Sequence, residues 1–218
     1  MATTTTHGPT YDYRRELGDL YAAGDHPVMV EVPPISFLMI DGHGDPDASP
    51  AFEEGVEALY AVAYALKFRM RSLPDGIDAA IMPLEGLWWI PDARVWDFGD
   101  KSDWNWTLML AEPDLVTPAL AAETIDAVRT DRGLPALERM RFETLPEGRA
   151  AQILHRGPFS AERPTLERLY DFIREQGSVP VGKHHEIYLS DPQRTAPARL
   201  RTIIRQPVAP AASRARNR

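Results

Sequence analysis

The apolar stretches of this chain run through one order twice, and that duplication restricts the fold more than any single motif does. In the first pass, Val28 to Glu31 and Ile35 to Ile40 are apolar enough for strands, interrupted by Pro33-Pro34. Asp41-Gly42-His43-Gly44-Asp45-Pro46 reads as a loop. Ser49-Pro50 then supplies an N-cap and an N1 proline, and Phe52, Val56, Leu59, Tyr60, Ala63, Leu66 and Met70 recur at helical spacing to about Arg71. After a turn at Pro74-Asp75-Gly76, Ala79 to Leu84 and Leu87 to Ile90 read as strand, with Glu85-Gly86 as a bulge between them, and Trp104 to Leu110 as the next strand. A helix from Thr117-Pro118 to Arg132, stopped by Gly133, separates the passes. The second pass has strands Met140 to Leu145 and Arg149 to His155 around a Pro146-Glu147-Gly148 turn. A helix from Glu162 to Gln176 follows, then a strand around Glu186 and a last strand from Leu200 to Arg205. Leu166, Leu169, Tyr170 and Ile173 repeat the spacing of Val56, Leu59, Tyr60 and Ala63.

The expected fold class is therefore α+β: two ββαββ units, residues 28–111 and 139–206, in one antiparallel sheet with two long helices packed on it. A pseudo-twofold between such units leaves a central groove, a common ligand site. Residues 1–10 and 209–218 read as disordered ends, and Tyr11 to Ala22 as a short helix with Leu17, Leu20 and Tyr21 on one side.

Composition removes several function classes. With no Cys among 218 residues there are no disulfides, thiolate zinc sites or cysteine nucleophiles, which suits a cytoplasmic protein. A net charge of −8 with no basic stripe argues against nucleic acid as a partner, and Arg214, Arg216 and Arg218 read as part of a frayed tail. No apolar run has the length of a membrane span, and the N-terminus lacks a secretory pattern. The oligomeric state is not legible.

The stretch with most chemistry is Gly182-Lys183-His184-His185-Glu186-Ile187-Tyr188-Leu189-Ser190-Asp191-Pro192. Strand alternation puts Ile187 and Leu189 on one face with His185, and His184, Glu186 and Tyr188 on the other. A polar face can simply be a wet face. Here, enough aromatic residues exist elsewhere to close over the carboxylate. Matching the halves sets Leu87 against Glu186 and Trp89 against Tyr188, which puts Trp89 beside Glu186 and Trp88 in the core; a bulge at Gly86 exchanges them, so both stay candidates. Trp104 and Trp106 share a face, Tyr64 and Lys67 edge the helix stripe, and Trp96 reads as core. The resulting cup comprises Phe37, Tyr60, Tyr64, Trp88 or Trp89, Trp104, Trp106 and Tyr188, with Glu186 inside. Such walls favour flat or cationic aromatic ligands, each ring contact contributing roughly 0.5–2 kcal/mol. A desolvated Glu can act as a general base for water. His184 and His185 point to opposite faces and cannot chelate together, so no metal or cofactor is expected. Ser-centred elbows, Walker loops and dinucleotide fingerprints are absent.

Taken together, that strand and Pro83-Leu84-Glu85-Gly86-Leu87-Trp88-Trp89 resemble the GyrI-like small-molecule-binding domain, in its stand-alone bacterial branch. So do Leu59-Tyr60-Ala61-Val62-Ala63-Tyr64-Ala65-Leu66-Lys67, Gly42-His43-Gly44-Asp45-Pro46 and His155-Arg156-Gly157-Pro158. The likeness runs from about Tyr11 to Val208. It implies the duplicated, SHS2-type ββαββ fold with a groove between repeats. Family members serve as effector domains of multidrug-sensing regulators, where a glutamate at the place of Glu186 meets cationic ligands. Stand-alone relatives hydrolyse cyclopropanoid genotoxins of the yatakemycin type. Carried over, Glu186 is catalytic and activates or orients the attacking water. Tyr188, Tyr64, His184 or Lys67 assists the departing phenolate, and the Leu-Trp-Trp and Leu-Tyr-Ala-Val-Ala-Tyr stretches stack on the ligand. Phe37, Tyr60, Tyr64, Lys67, Glu85, Trp88, Trp89, Trp104, Trp106 and His184 complete the expected binding set.

The leading expectation is thus a small-molecule binder with cyclopropanoid hydrolase activity and a role in genotoxin resistance. The alternative is non-catalytic sequestration or sensing of aromatic drugs. A protein-interaction role such as gyrase inhibition would use the acidic surface instead, and a haem role would rest on one lone axial His. This chain lacks the helix-turn-helix segment of the regulators.

Overall fold

A computed structural model describes residues 10–73, 76–91 and 101–211. Its elements are β1 (Thr10–Tyr11), α1 (Tyr13–Glu16), β2 (Val28–Val32), β3 (Ile35–His43), α2 (Pro50–Arg71), β4 (Asp78–Ala79), β5 (Leu84–Trp89) and β6 (Asn105–Glu112). They continue with α3 (Pro118–Arg132), β7 (Met140–Leu145), β8 (Gly148–Arg156), α4 (Arg163–Glu175), β9 (Ser178–Pro180), β10 (His184–Tyr188) and β11 (Arg201–Pro210). Trp96, Met1 to Pro9, Pro74, Asp75 and the three tail arginines lie outside the described residues.

The main sheet is antiparallel, in the order β2-β8-β11-β10-β5-β6-β3-β7, with β9 adding to β11. Its symmetry is the expected one, with a swap. β8, β11 and β10 of the second unit mirror β3, β6 and β5 of the first about the central β10–β5 pair. Each unit's opening strand, β2 or β7, crosses to the other unit's outer edge. The exchange interlocks the two units in one sheet.

Helix ends follow local chemistry. Pro50 starts α2 after Ser49, and the Thr117 side chain accepts from the Leu120 N–H at the start of α3. Gly133, at φ 59°, takes the left-handed conformation that ends α3. No helix among the described residues is long and apolar enough to cross a membrane.

The sheet buries both faces. On the front, Leu38, Ile40, Trp88, Trp106, Leu108, Leu110, Ile153 and Ile204 pack under Leu59, Val62, Leu66, Leu166, Leu169 and Ile173 of the helices. On the back, Phe37, Met39, Leu87, Met109, Leu154, Ile187 and Ile203 are covered by Tyr13, Leu20 and Tyr21. Those last three belong to α1 and the 3-10 turn Gly18–Tyr21, where one longer helix was expected. Thr10 and Tyr11, by contrast, pair in parallel with Asp78 and Ala79, so Thr10, expected in the disordered end, is a strand residue. At the other end β11 runs to Pro210, two residues past the expected limit of the domain.

Two sequence expectations about strands are corrected. The loop expected at Asp41 is the end of β3, which extends to His43 because Gly42 has no side chain: a Cβ there would lie inside the Trp106 indole. The bulge expected at Glu85-Gly86 is ordinary strand, in unbroken register with β6 from Leu84↔Leu110 to Trp89↔Asn105.

A buried polar chain ties the N-terminal segment to the back face. Tyr21 Oη donates to Glu85 Oε1 at 2.5 Å, and His185 bridges Glu85 Oε2 at 2.8 Å and Glu147 Oε1 at 2.9 Å. Arg205 donates to Glu147 Oε2, to Gln152 Oε1 and to the Leu20 carbonyl. Burial alone would depress the His185 pKa, but Glu147 and Glu85 outweigh it and hold the imidazolium up to about 9. Burial likewise opposes the Glu147 charge, yet His185 and Arg205 bring that carboxyl down to about 2. Glu85 and Glu147 therefore meet His185 and Arg205 in a buried layer.

Candidate ligand site around Glu186

Register decides which side chains meet. Glu186 lies between Gly86 of β5 and Ile204 of β11, and His184 lies beside Trp88. Trp88 in turn pairs with Trp106, and Trp106 with Gly42. The front face of the central strands thus carries Glu186, His184, Tyr188, Trp88 and Trp106. The expected pairing of halves was one residue out, and a one-residue slip turns every side chain over.

Glu186 is 7% exposed and accepts from its neighbours. His184 Nε2 lies 2.9 Å from Oε1, and Tyr188 Oη donates to Oε2 at 2.9 Å. Trp88 Nε1 donates to Tyr188 Oη at 3.1 Å, so indole, phenol and carboxylate form one directed chain. Burial first, then the Glu186 charge and its hydrogen bond, push the Tyr188 phenol well above its ordinary range, so it stays protonated. The nearby rings form a connected set. Phe52 stacks on Trp88 at 6.1 Å and meets Trp106 edge-on at 5.3 Å; Trp104 meets Trp88 edge-on at 5.7 Å. Phe159, 40% exposed, stands edge-on to Tyr188 at 5.7 Å.

Gly86 makes this closure feasible. A Cβ there would lie 2.7 Å from Trp88 Nε1 and 3.1 Å from Tyr188 Oη. The strand position facing Glu186 must therefore carry no side chain.

Glu162, the residue before α4, completes the group. It is 1% exposed, leaves Oε1 without a partner, and burial followed by the Glu186 charge pushes its carboxyl well above the ordinary range. A carbonyl only accepts, so His155 Nε2 carries the proton that goes to Pro158 O at 3.2 Å, and Nδ1 accepts from the Thr165 hydroxyl at 3.0 Å. Burial lowers the His155 pKa, consistent with that neutral tautomer.

Several expected site residues are elsewhere. Phe37 is in the back core, and Glu85 is consumed by Tyr21 and His185 on that same face. Both point away from Glu186 because they sit on the opposite strand parity. Trp89 also takes back-face parity and lies under Lys183, whose Nζ is 3.4 Å from the ring centroid. Lys67 is held by Asp78 at 2.9 Å and the Ala79 carbonyl at 2.7 Å. Tyr60 is half-buried against Tyr64, with centroids 6.5 Å apart, and Tyr64 is 50% exposed. These two extend the aromatic surface along α2 without touching the carboxylate in any recorded bond. Two surface recesses, of about 320 Å³ beside α3 and β7 and about 380 Å³ at Phe68 and Leu120, are lined by none of the Glu186 group.

Sequence reading missed Glu162, Phe159, Phe52, His155 and the need for Gly86. Phe52 had a usable signal, since it falls eight residues, two helical repeats, before Tyr60 on the same helix.

Among solved structures, an uncharacterized conserved protein from Listeria innocua is 35% identical, with a TM-score of 0.84, covering 92% of this chain and 100% of that one. A hydrolase from Listeria innocua is 34% identical, with a TM-score of 0.81 and the same coverage. The C-terminal domain of EcmrR shares the fold at 12% identity, with a TM-score of 0.51, covering 85% of this chain and 98% of that one. No curated protein matches the chain. The sequence profile of the GyrI-like small molecule binding domain matches residues 26–209, which takes in every strand of the main sheet but the last residue of β11. This chain belongs to the GyrI-like small-molecule-binding family.

Proposed function

We propose that this cytoplasmic protein binds flat aromatic small molecules over Glu186 and hydrolyses strained, DNA-alkylating cyclopropanoid rings. The observation that carries this reading is a carboxylate 7% exposed, accepting from a phenol and an imidazole, with the phenol in turn bonded by Trp88, which Phe52 and Trp104 flank. The likeness to a hydrolase of Listeria innocua at 34% identity over 92% of the chain supports it.

The chemistry balances with these residues alone. Glu186 takes a proton from water as the water oxygen bonds to the cyclopropane methylene. The strained C–C bond breaks, and its electron pair moves into the conjugated ring to leave a phenolate. That phenolate takes the Tyr188 proton, and the proton on Glu186 returns to Tyr188 across their 2.9 Å hydrogen bond. General-base assistance of this kind contributes roughly 10²–10⁴-fold.

Incubation with a cyclopropanoid, followed by mass spectrometry, is expected to show addition of one water. Glu186→Gln should lose about 10²-fold or more in rate. Undiminished turnover by that variant would overturn the catalytic assignment. A second reading, binding without turnover, is favoured by one observation: both Glu186 oxygens are already engaged by protein donors. Saturable binding of the same compound, recovered unopened, would decide for it.

A further inference from the structure

We propose that Phe159 is the movable wall of the Glu186 site, a ring that leaves Tyr188 to lie on the face of a bound flat aromatic cation and hold it in place. The inference rests on the proposed function above, because it assigns a further residue to that same site.

The symmetry of the sheet picks out this ring. Glu186 pairs with Gly86 where β10 meets β5, at the junction of the two units. Two residues on from each stand Tyr188 and Trp88, which are therefore counterparts, and the indole bonds the phenol at 3.1 Å. Each meets a phenylalanine from the segment that opens its own unit's helix. Phe52, in the first turn of α2, packs on Trp88. Phe159, in the 3-10 turn Phe159–Ala161 before α4, packs on Tyr188. Each strand of the junction thus carries one aromatic pair.

The two pairs are held differently. Phe52 is half-buried, stacks on Trp88 with 24° between the planes, and also meets Trp106 edge-on. It is a fixed wall. Phe159 is 40% exposed and stands at 76° to Tyr188, with centroids 5.7 Å apart. An edge-on ring pair biases a population by only about two- to tenfold. Exposed side chains change rotamer in picoseconds to nanoseconds, so this ring turns away readily. Its backbone stays in place. The Gly157 N–H donates to the Leu200 carbonyl at 3.0 Å, and the Pro158 carbonyl accepts from His155 Nε2 at 3.2 Å and from the Ala161 N–H at 2.8 Å.

Ligand entry requires such a move. Glu186 is 7% and Trp88 4% exposed, so neither presents a face to a flat ligand while the site is closed. Turning Phe159 off Tyr188 uncovers the phenol, and with it the carboxylate that the phenol bonds at 2.9 Å. A planar cation then has Tyr188 on one side and Phe159 on the other, with the Glu186 carboxylate beside it.

Ethidium, a flat aromatic cation, is the probe, mixed with the intact protein and followed by its own fluorescence. Phe159→Leu keeps apolar bulk and removes the ring. It should weaken binding about two- to tenfold, the size of one ring contact, through faster dissociation. Association and the urea midpoint should change little. Phe159→Tyr restores the ring and should restore wild-type dissociation. A merely structural ring would instead lower the urea midpoint and leave dissociation alone. Release of ethidium from Phe159→Leu as slow as from wild type overturns the proposal. So does release from Phe159→Tyr as fast as from Phe159→Leu. If Glu186→Gln weakens ethidium binding and neither Phe159 variant does, the site stands and the movable wall falls. Wild type that binds no ethidium overturns both.

Discussion

Gly86 is the residue on which the closure of the site turns. Its missing side chain admits the Trp88 indole and the Tyr188 hydroxyl, at 2.7 Å and 3.1 Å from where a Cβ would be. Gly86→Ala should therefore destabilise by about 1–3 kcal/mol through overpacking, measured as a lower urea midpoint, and should displace the Trp88–Tyr188 bond. Unchanged stability would mean that the indole yields without cost. The same residue shows what strand alternation can and cannot reveal. Glu186, His184 and Tyr188 fall on one face by simple parity within β10. Choosing between Trp88 and Trp89 needs the register of β5 against β10, which is a tertiary quantity, and the faint likeness of the two halves gave it one residue wrong. Glu162 was hidden differently. A carboxylate just before a helix reads as a capping or dipole-favoured residue, and only its burial without a cap bond shows otherwise.

At the scale of elements, β10 carries two separate polar systems on its two faces. The front one has Glu186; the back one has His185 with Glu85, Glu147 and Arg205. The back system pins the segment Tyr13 to Tyr21, whose Tyr21 and Leu20 are bonded to it directly. Removing one member leaves buried charge uncompensated, so Arg205→Met should cost about 3–5 kcal/mol by chemical denaturation. The sign of the pH dependence follows from the shifts. His185, raised from 6.5 to about 9, contributes stability present below about 6.5 and lost as pH rises through 9. Glu147, lowered from 4.5 to about 2, contributes stability present above about 4.5 and lost as pH falls towards 2. The midpoint of wild type should drop between about pH 7 and about pH 10, and His185→Gln should flatten that limb. An equal drop in the variant would place the titrating group elsewhere. None of this network was legible in sequence, because its members come from five separate segments that only the folded sheet brings together.

At the scale of the whole molecule, one symmetric sheet sets a carboxylate of the second unit against a glycine of the first. The two units are equivalent in outline and unlike in chemistry, so the site belongs to their junction. The repeated order of elements carried enough signal to give the sheet and the front helices. The crossing of β2 and β7 to opposite edges depends on long-range pairing that no local pattern records. The most direct test of the whole scheme is a titration of intact protein with a flat aromatic cation, read by tryptophan fluorescence. One saturable quenching step is expected, weakened about tenfold or more by either Trp88→Ala or Glu186→Gln, in keeping with the loss of a desolvated ring or charge contact. Quenching left untouched by both substitutions, but removed by Phe68→Ala at the distant recess, would show that ligands bind somewhere other than the β10–β5 junction.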